Sequence, residues 1–89
     1  MFKSINHYNV SGNTKGITIQ GSGIIFVNDC YAYRSDDYYS IIEIDDNIFI
    51  FDNENFNNKK YLFKEKVIIS NKNKDSDWSN ISVTVGLFN

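Results

Sequence analysis

Few side chains in this sequence can do covalent or acid–base chemistry. His7 is the single histidine and Cys30 the single cysteine, so a triad or dyad would have to run through one of them. His7 lies near an N-terminus, where a surface or packing histidine is the expected role. No base is identifiable that would activate Cys30, and a small buried apolar residue is the simpler reading. One cysteine also excludes an internal disulfide and any zinc site built on two cysteines. Carboxylates are plentiful, but a general acid and base pair must face each other across a substrate cleft. A chain of 89 residues has little room for such a cleft, and the sequence predicts a protein that is not an enzyme.

Two stretches imitate ligand-binding motifs. Gly21-Ser22-Gly23 opens like a phosphate-binding loop, but the third glycine, a Walker lysine and a following helix are missing, so it reads as a turn. Asn71, Asn73, Asp75 and Asp77 set oxygen-bearing side chains at every second residue, like the first ligands of a calcium loop. The loop glycine is absent, Ser82 stands where a bidentate glutamate is needed, and Lys72 and Lys74 oppose a cation. No cofactor and no metal are expected. Trp78 beside this stretch reads as a packing anchor, with a partner contact as the sharper alternative.

Charge is more informative than these motifs. Between Ser35 and Asn58 lie seven acidic residues, Asp36, Asp37, Glu43, Asp45, Asp46, Asp52 and Glu54, and no lysine or arginine. Between Lys59 and Lys74 lie six lysines, at positions 59, 60, 64, 66, 72 and 74, against the single Glu65. The overall charge of −2 hides this segregation. Three arrangements compete. The basic strand can lie beside the acidic hairpin and offset it, each exposed pair contributing under about 1 kcal/mol. The acidic residues can form an open face that attracts a basic surface and speeds association with it. The lysines, with Tyr61 and nearby rings, can grip single-stranded nucleic acid, a reading that the net negative charge and the single arginine weaken.

The elements that must position these groups are strands. Ile, Phe, Tyr, Val, Thr and Trp supply 35 residues, whereas Ala, Leu, Met, Gln, Glu, Lys and Arg supply 17, a balance that suits pleated surfaces over helices. Gly16 to Gln20 and Ile24 to Asn28 flank Gly21-Ser22-Gly23 and predict a hairpin. The second strand continues through Cys30 to Arg34 after a kink near Asn28-Asp29, with Tyr31 and Tyr33 on one side. A second hairpin pairs Tyr38 to Ile44 with Ile48 to Asp52 through a three-residue Asp45-Asp46-Asn47 loop. It sets Ile42, Ile44, Ile48 and Ile50 on one face and Ile41, Glu43, Phe49 and Phe51 on the other, as in a central strand or one covered by a partner. Lys60 to Ser70 reads as one amphipathic strand, with a short helix over Asn58 to Lys66 as the alternative. Ile81, Val83, Val85 and Leu87 alternate with Ser82, Thr84, Gly86 and Phe88 as a half-buried strand.

Residues 1–89 are therefore expected to form one β-rich domain, all-β, a small antiparallel β-sandwich or partly open barrel of about six or seven strands with at most one short helix. No apolar run exceeds the four residues of Ile24 to Val27 or Ile48 to Phe51, so neither a signal peptide nor a membrane helix is expected and the chain is placed in the cytoplasm. Ile, Asn, Lys, Tyr and Phe make up 47 of the 89 residues, the mark of an AT-rich gene such as those of low-GC bacteria and their phages. The expected function is a small protein-binding module, an inhibitor or immunity factor of a mobile element. Its contact residues are Asp36, Asp37, Tyr38, Tyr39, Glu43, Asp45 and Asp46, set against a partner with a basic surface such as a nucleic-acid-binding protein. A single-stranded nucleic-acid-binding module and a subunit of a virion or other assembly are the alternatives. Residues 48 to 51, apolar on both sides, predict a homodimer.

Overall fold

The computed structural model describes residues 1–12, 14–32, 39–53, 59–72 and 79–89. These form eight strands: β1 (Phe2–Ser11), β2 (Ile17–Gln20), β3 (Gly23–Ala32), β4 (Tyr39–Ile44), β5 (Asn47–Phe51), β6 (Lys60–Phe63), β7 (Lys66–Lys72) and β8 (Ser79–Phe88). No helix occurs among the described residues. Two four-stranded sheets, ordered β1-β8-β3-β6 and β2-β7-β4-β5, enclose a shared core in a sandwich. Every pairing is antiparallel, and the expected all-β class holds with more strands than expected.

The count rises for two reasons. The polar N-terminal stretch is a ten-residue strand, which weak alternation and its asparagines concealed. In addition, the single strand expected over Lys60 to Ser70 is broken at a corner between the sheets, and the expected hairpin, already two strands, is opened at the same corner. Gly16 to Gln20 and Ile24 to Asn28 do not form a hairpin: β2 pairs with β7 in one sheet, and β3 pairs with β6 and β8 in the other. Lys60 to Ser70 likewise divides at Lys64-Glu65 into β6 and β7. The partner offset is the same in both sheets, Ile17 opposite Ile69 and Gly23 opposite Phe63. Residues 17–26 and 60–69 are thus one antiparallel ribbon folded over a corner, which the Gly21 amide spans by donating to the Glu65 carbonyl at 2.8 Å. Gly21 sits at φ 132°, a backbone that side chains rarely tolerate. Two consecutive strands fail to pair because each already has its partner in the ribbon.

The β4–β5 hairpin is present with a shifted register. Asp45 and Asp46 alone make the turn, at φ 48° and 74°, the left-handed pair of a type I′ connection in which Asp is tolerated. Ile44 therefore opposes Asn47 and Ile42 opposes Phe49. Shortening the loop by one residue moves the second strand to its other face: Phe49 and Phe51 turn inward with Ile42 and Ile44, and Ile48 and Ile50 turn to solvent. β5 is also an edge strand rather than a central one. The expected kink in β3 is found, with the register shifting between Val27 and Asp29. Asn28 is the extra residue, and Cys30 and Ala32 thereby return to the interior.

Alternation supplies the core. Ile25, Val27, Ile42, Phe63, Val67, Ile69, Ile81 and Val83 are fully buried, each such side chain contributing on the order of 1.5–3 kcal/mol. At the end of the sandwich away from the corner, polar groups replace them. Asn71 on β7 accepts at Oδ1 from the hydroxyls of Ser40 on β4 and Ser79 on β8, the latter at 2.8 Å, and donates from Nδ2 to the Val10 carbonyl on β1 at 2.9 Å. One carboxamide thus ties four strands of both sheets. The first oxygen of the calcium-like series is a structural latch; Asn73, Asp75, Asp77 and Trp78 lie outside the described residues.

Replacing Asn71 by alanine removes the acceptor that two buried hydroxyls share and a side-chain donor to the Val10 carbonyl, leaving Ser79 with the Tyr39 carbonyl alone. Asn71→Ala is expected to destabilise the fold by about 2–3 kcal/mol, measured as a fall in the thermal midpoint of roughly 10–20 °C.

Candidate functional site

The two candidate nucleophiles occupy different settings. Cys30 is buried in the core cluster, and burial pushes its thiol up to about 11; a hydrogen bond with Ser40 acts the other way, and Asp52 and Asp29 add to the rise. A thiol so held is protonated and inert at neutral pH. His7 is exposed on β1, its Nδ1 bonded to the Thr84 hydroxyl at 2.8 Å. Among the described residues no three His, Cys, Asp or Glu groups come together as a metal site.

Of the expected contact residues, Asp36, Asp37 and Tyr38 lie outside the described residues. Tyr39 opens β4 opposite Lys72, whose ammonium sits 5.9 Å from its ring centroid. Glu43 stands between Ile48 and Ile68 on the outer face of the second sheet. Asp45 and Asp46 are at the other end of β4, so the structure does not bring the described members of the set together. Asp45 turns onto the corner: its Oδ2 accepts from the Lys64 amide at 2.8 Å, and its Oδ1 accepts from the Glu65 and Lys66 amides at 2.8 and 3.1 Å. Those hydrogen bonds, with the Lys64 amide foremost, hold its carboxyl below the usual 3.8. Asp46 is exposed and 3.8 Å from the Lys66 ammonium. The acidic hairpin and the lysine-bearing β7 are neighbours in one sheet.

The most distinctive surface is one that sequence reading left aside, the outer face of the β1-β8-β3-β6 sheet. With Ile25, Val27, Val83, Val85 and Phe63 turned inward, their neighbours turn outward in cross-strand rows. Leu62, Ile24, Gly86 and Ile5 form one row, and Lys60, Phe26, Thr84 and His7 the next. Phe2 lies over Gly86, where even a Cβ would come within 2.7 Å of its ring. It also stacks on Phe88 with centroids 5.3 Å apart. Between these banks runs a cleft of about 260 Å³ lined by Phe2, Ile5, Ile24, Phe26, Lys60, Thr84 and Gly86. Its apolar rim is open to water: Leu62 is 62% and Ile5 58% exposed.

The same face becomes polar past Thr84. The Thr84 hydroxyl also accepts from Asn28 Nδ2 at 2.7 Å; Asn9 Nδ2 donates to Ser82 at 2.9 Å, and Asn80 Nδ2 to Asn9 Oδ1 at 2.9 Å. Tyr31, 53% exposed, ends this half. The sheet thus presents an apolar cleft at one end and a hydrogen-bonded amide and hydroxyl ladder at the other. One signal was available in the sequence: Ile24 to Val27 is apolar at four consecutive positions, and a strand fills an interior with only two of them.

Because Asp45 binds in its charged form, its contribution to stability is complete above its unfolded value of 3.8 and is lost as pH falls through the lower folded value. Asp45→Asn, which keeps the turn residue's shape, is expected to lower the thermal midpoint at pH 7, and the gap to wild type should close on acidification below that range. Asp46→Asn should leave the midpoint near wild type at every pH, as scanning calorimetry from pH 7 to acid will report. Compared with known proteins, the chain matches no family model, no curated protein and no solved structure.

Proposed function

We propose that this protein is a small binding module that contacts another protein through the outer face of the β1-β8-β3-β6 sheet. The observation that carries this reading is the contiguous apolar cleft between Phe2, Ile5, Ile24 and Phe26, extended by exposed Leu62. Contiguous apolar surface on a small protein marks an interaction site, and the adjoining polar ladder resembles an interface rim around an apolar centre. An inhibitor, an immunity factor of a phage or other mobile element, and a subunit of a larger assembly are all forms that such a binder takes. In the acidic version of the contact, Asp45 is already committed to the corner. That version therefore rests on Asp36, Asp37, Tyr38, Tyr39, Glu43 and Asp46.

A second reading has its own observation. Lys60 sits directly across from Phe26, with Lys59 and Lys64 on the same edge, so rings and ammonium groups share one open sheet, as in modules that stack bases and neutralise phosphates.

Affinity capture from the native host, with mass spectrometry and with or without nuclease, separates the readings. Leu62→Asp is expected to weaken capture of a nuclease-resistant protein partner by about tenfold or more, with a thermal midpoint within a few degrees of wild type, roughly the effect of an ordinary surface change. Asp36→Asn with Asp37→Asn should leave it unaltered; loss in that variant alone returns the contact to the acidic segment. Recovery that vanishes with nuclease and with Lys60→Glu establishes the nucleic-acid reading instead.

A further inference from the structure

We propose that β1 is an assembly edge, and that two copies of this chain pair their β1 strands antiparallel about a two-fold axis at His7. The sheets ending in β1 then become one continuous sheet across the dimer.

The four sheet edges are not equivalent. β2, β5 and β6 are four or five residues long, and β6 is flanked by Lys59 and Lys64 and begins with Lys60. Short edge strands and edge lysines are the usual devices that prevent strand addition. β1 has ten residues, and after Lys3 and the irregularity between Phe2 and Ser4 it carries no acidic or basic residue other than His7. The chain contains no proline to interrupt it.

The hydrogen-bond phase defines what this edge offers. Gly12 donates to the Ser79 carbonyl at 2.8 Å, and β1 keeps one register with β8 from Ser11↔Asn80 back to Ile5↔Gly86. Antiparallel pairs alternate between bonded and non-bonded, so Asn6, Tyr8 and Val10 bond to β8, and the amides and carbonyls of Ile5, His7 and Asn9 point away from the sheet. The next outward residue, Ser11, already accepts at its carbonyl from the Thr14 amide at 2.9 Å. The open stretch is therefore Ile5 to Asn9.

A second copy fits that stretch. With His7 opposite the partner's His7, Ile5 opposes the partner's Asn9, and all three outward residues find bonded partners of matching phase. No like-charged carboxylate or ammonium pair is created, since the stretch holds none. An antiparallel pair has its two-fold axis normal to the sheet, so both apolar clefts face the same side. The dimer does not use the clefts, and its test needs no partner protein.

One strand pair is a small interface, so a dissociation constant on the order of 10–100 μM is expected. Sedimentation equilibrium from about 10 μM to 1 mM, spanning that range, should show reversible dimerisation. His7→Pro removes an outward amide without costing a β8 hydrogen bond and should leave a monomer throughout with a retained β-type circular dichroism spectrum. A His7→Cys, Cys30→Ser variant places two cysteines at a bonded pair, where Cα atoms lie about 5.5 Å apart, within disulfide reach. It should cross-link under mild oxidation, whereas Thr18→Cys with Cys30→Ser should not. Should His7→Pro unfold, the cross-link decides. A wild-type monomer at the top concentration, or a dimer without the cross-link, overturns the proposal.

Discussion

The structure depends on one ladder holding its register around a corner. Residues 17–26 and 60–69 stay in step from one sheet into the other, so the inward and outward sides of β2, β3, β6 and β7 are set together. A slip by one residue would expose Ile25, Phe63, Val67 and Ile69 at once. At the bend the amides of Lys64, Glu65 and Lys66 take a side-chain acceptor in place of a strand partner. The Asp45 carboxylate collects all three, placed there by the tight β4–β5 turn. The hairpin and the corner therefore specify each other.

The opposite end needs another solution, because the sheets are not joined there by a shared ladder. Asn71 serves both sheets with one acceptor and one donor group. Ser40 and Ser79 are wholly buried, and no buried side-chain nitrogen or oxygen among the described residues is left unpartnered. A polar cluster of this kind stabilises only when complete. Cys30 fills the space beside Ser40 as an apolar group with a weak donor, which gives its burial a packing role.

Much of this was legible locally. Alternation at Ile81, Val83 and Val85 gives β8, composition gives the all-β class, and the polar Asn28-Asp29 pair in an apolar run gives the bulge. What was not legible depends on partners distant in sequence. Nothing in Gly21-Ser22-Gly23 distinguishes a hairpin turn from a corner; only pairing with residues 60–69 does. The β4–β5 register turned on whether Asn47 or only two aspartates closed the loop, and Asp45 is retained in its left-handed conformation by the backbone N–H donors its carboxylate accepts from about twenty residues away in the chain. The cleft was hidden for a related reason. Its rows draw on β1, β3, β6 and β8, which meet only in the folded sheet.

A sandwich of this size must also decide what to do with apolar residues beyond those its interior can hold. Both four-residue apolar runs send half of their side chains inward and half outward: Ile25 and Val27 against Ile24 and Phe26 on β3, Phe49 and Phe51 against Ile48 and Ile50 on β5. Scattered exposed apolar groups are ordinary on any protein surface. Rows are not, and on the β3 side the outward pair is continued by Leu62, Ile5 and the Phe2–Phe88 stack into a single cleft. Folding stability does not require that continuation, since alternation already fills the core. That continuation, beyond what the core uses, is the surface on which the proposed contact rests.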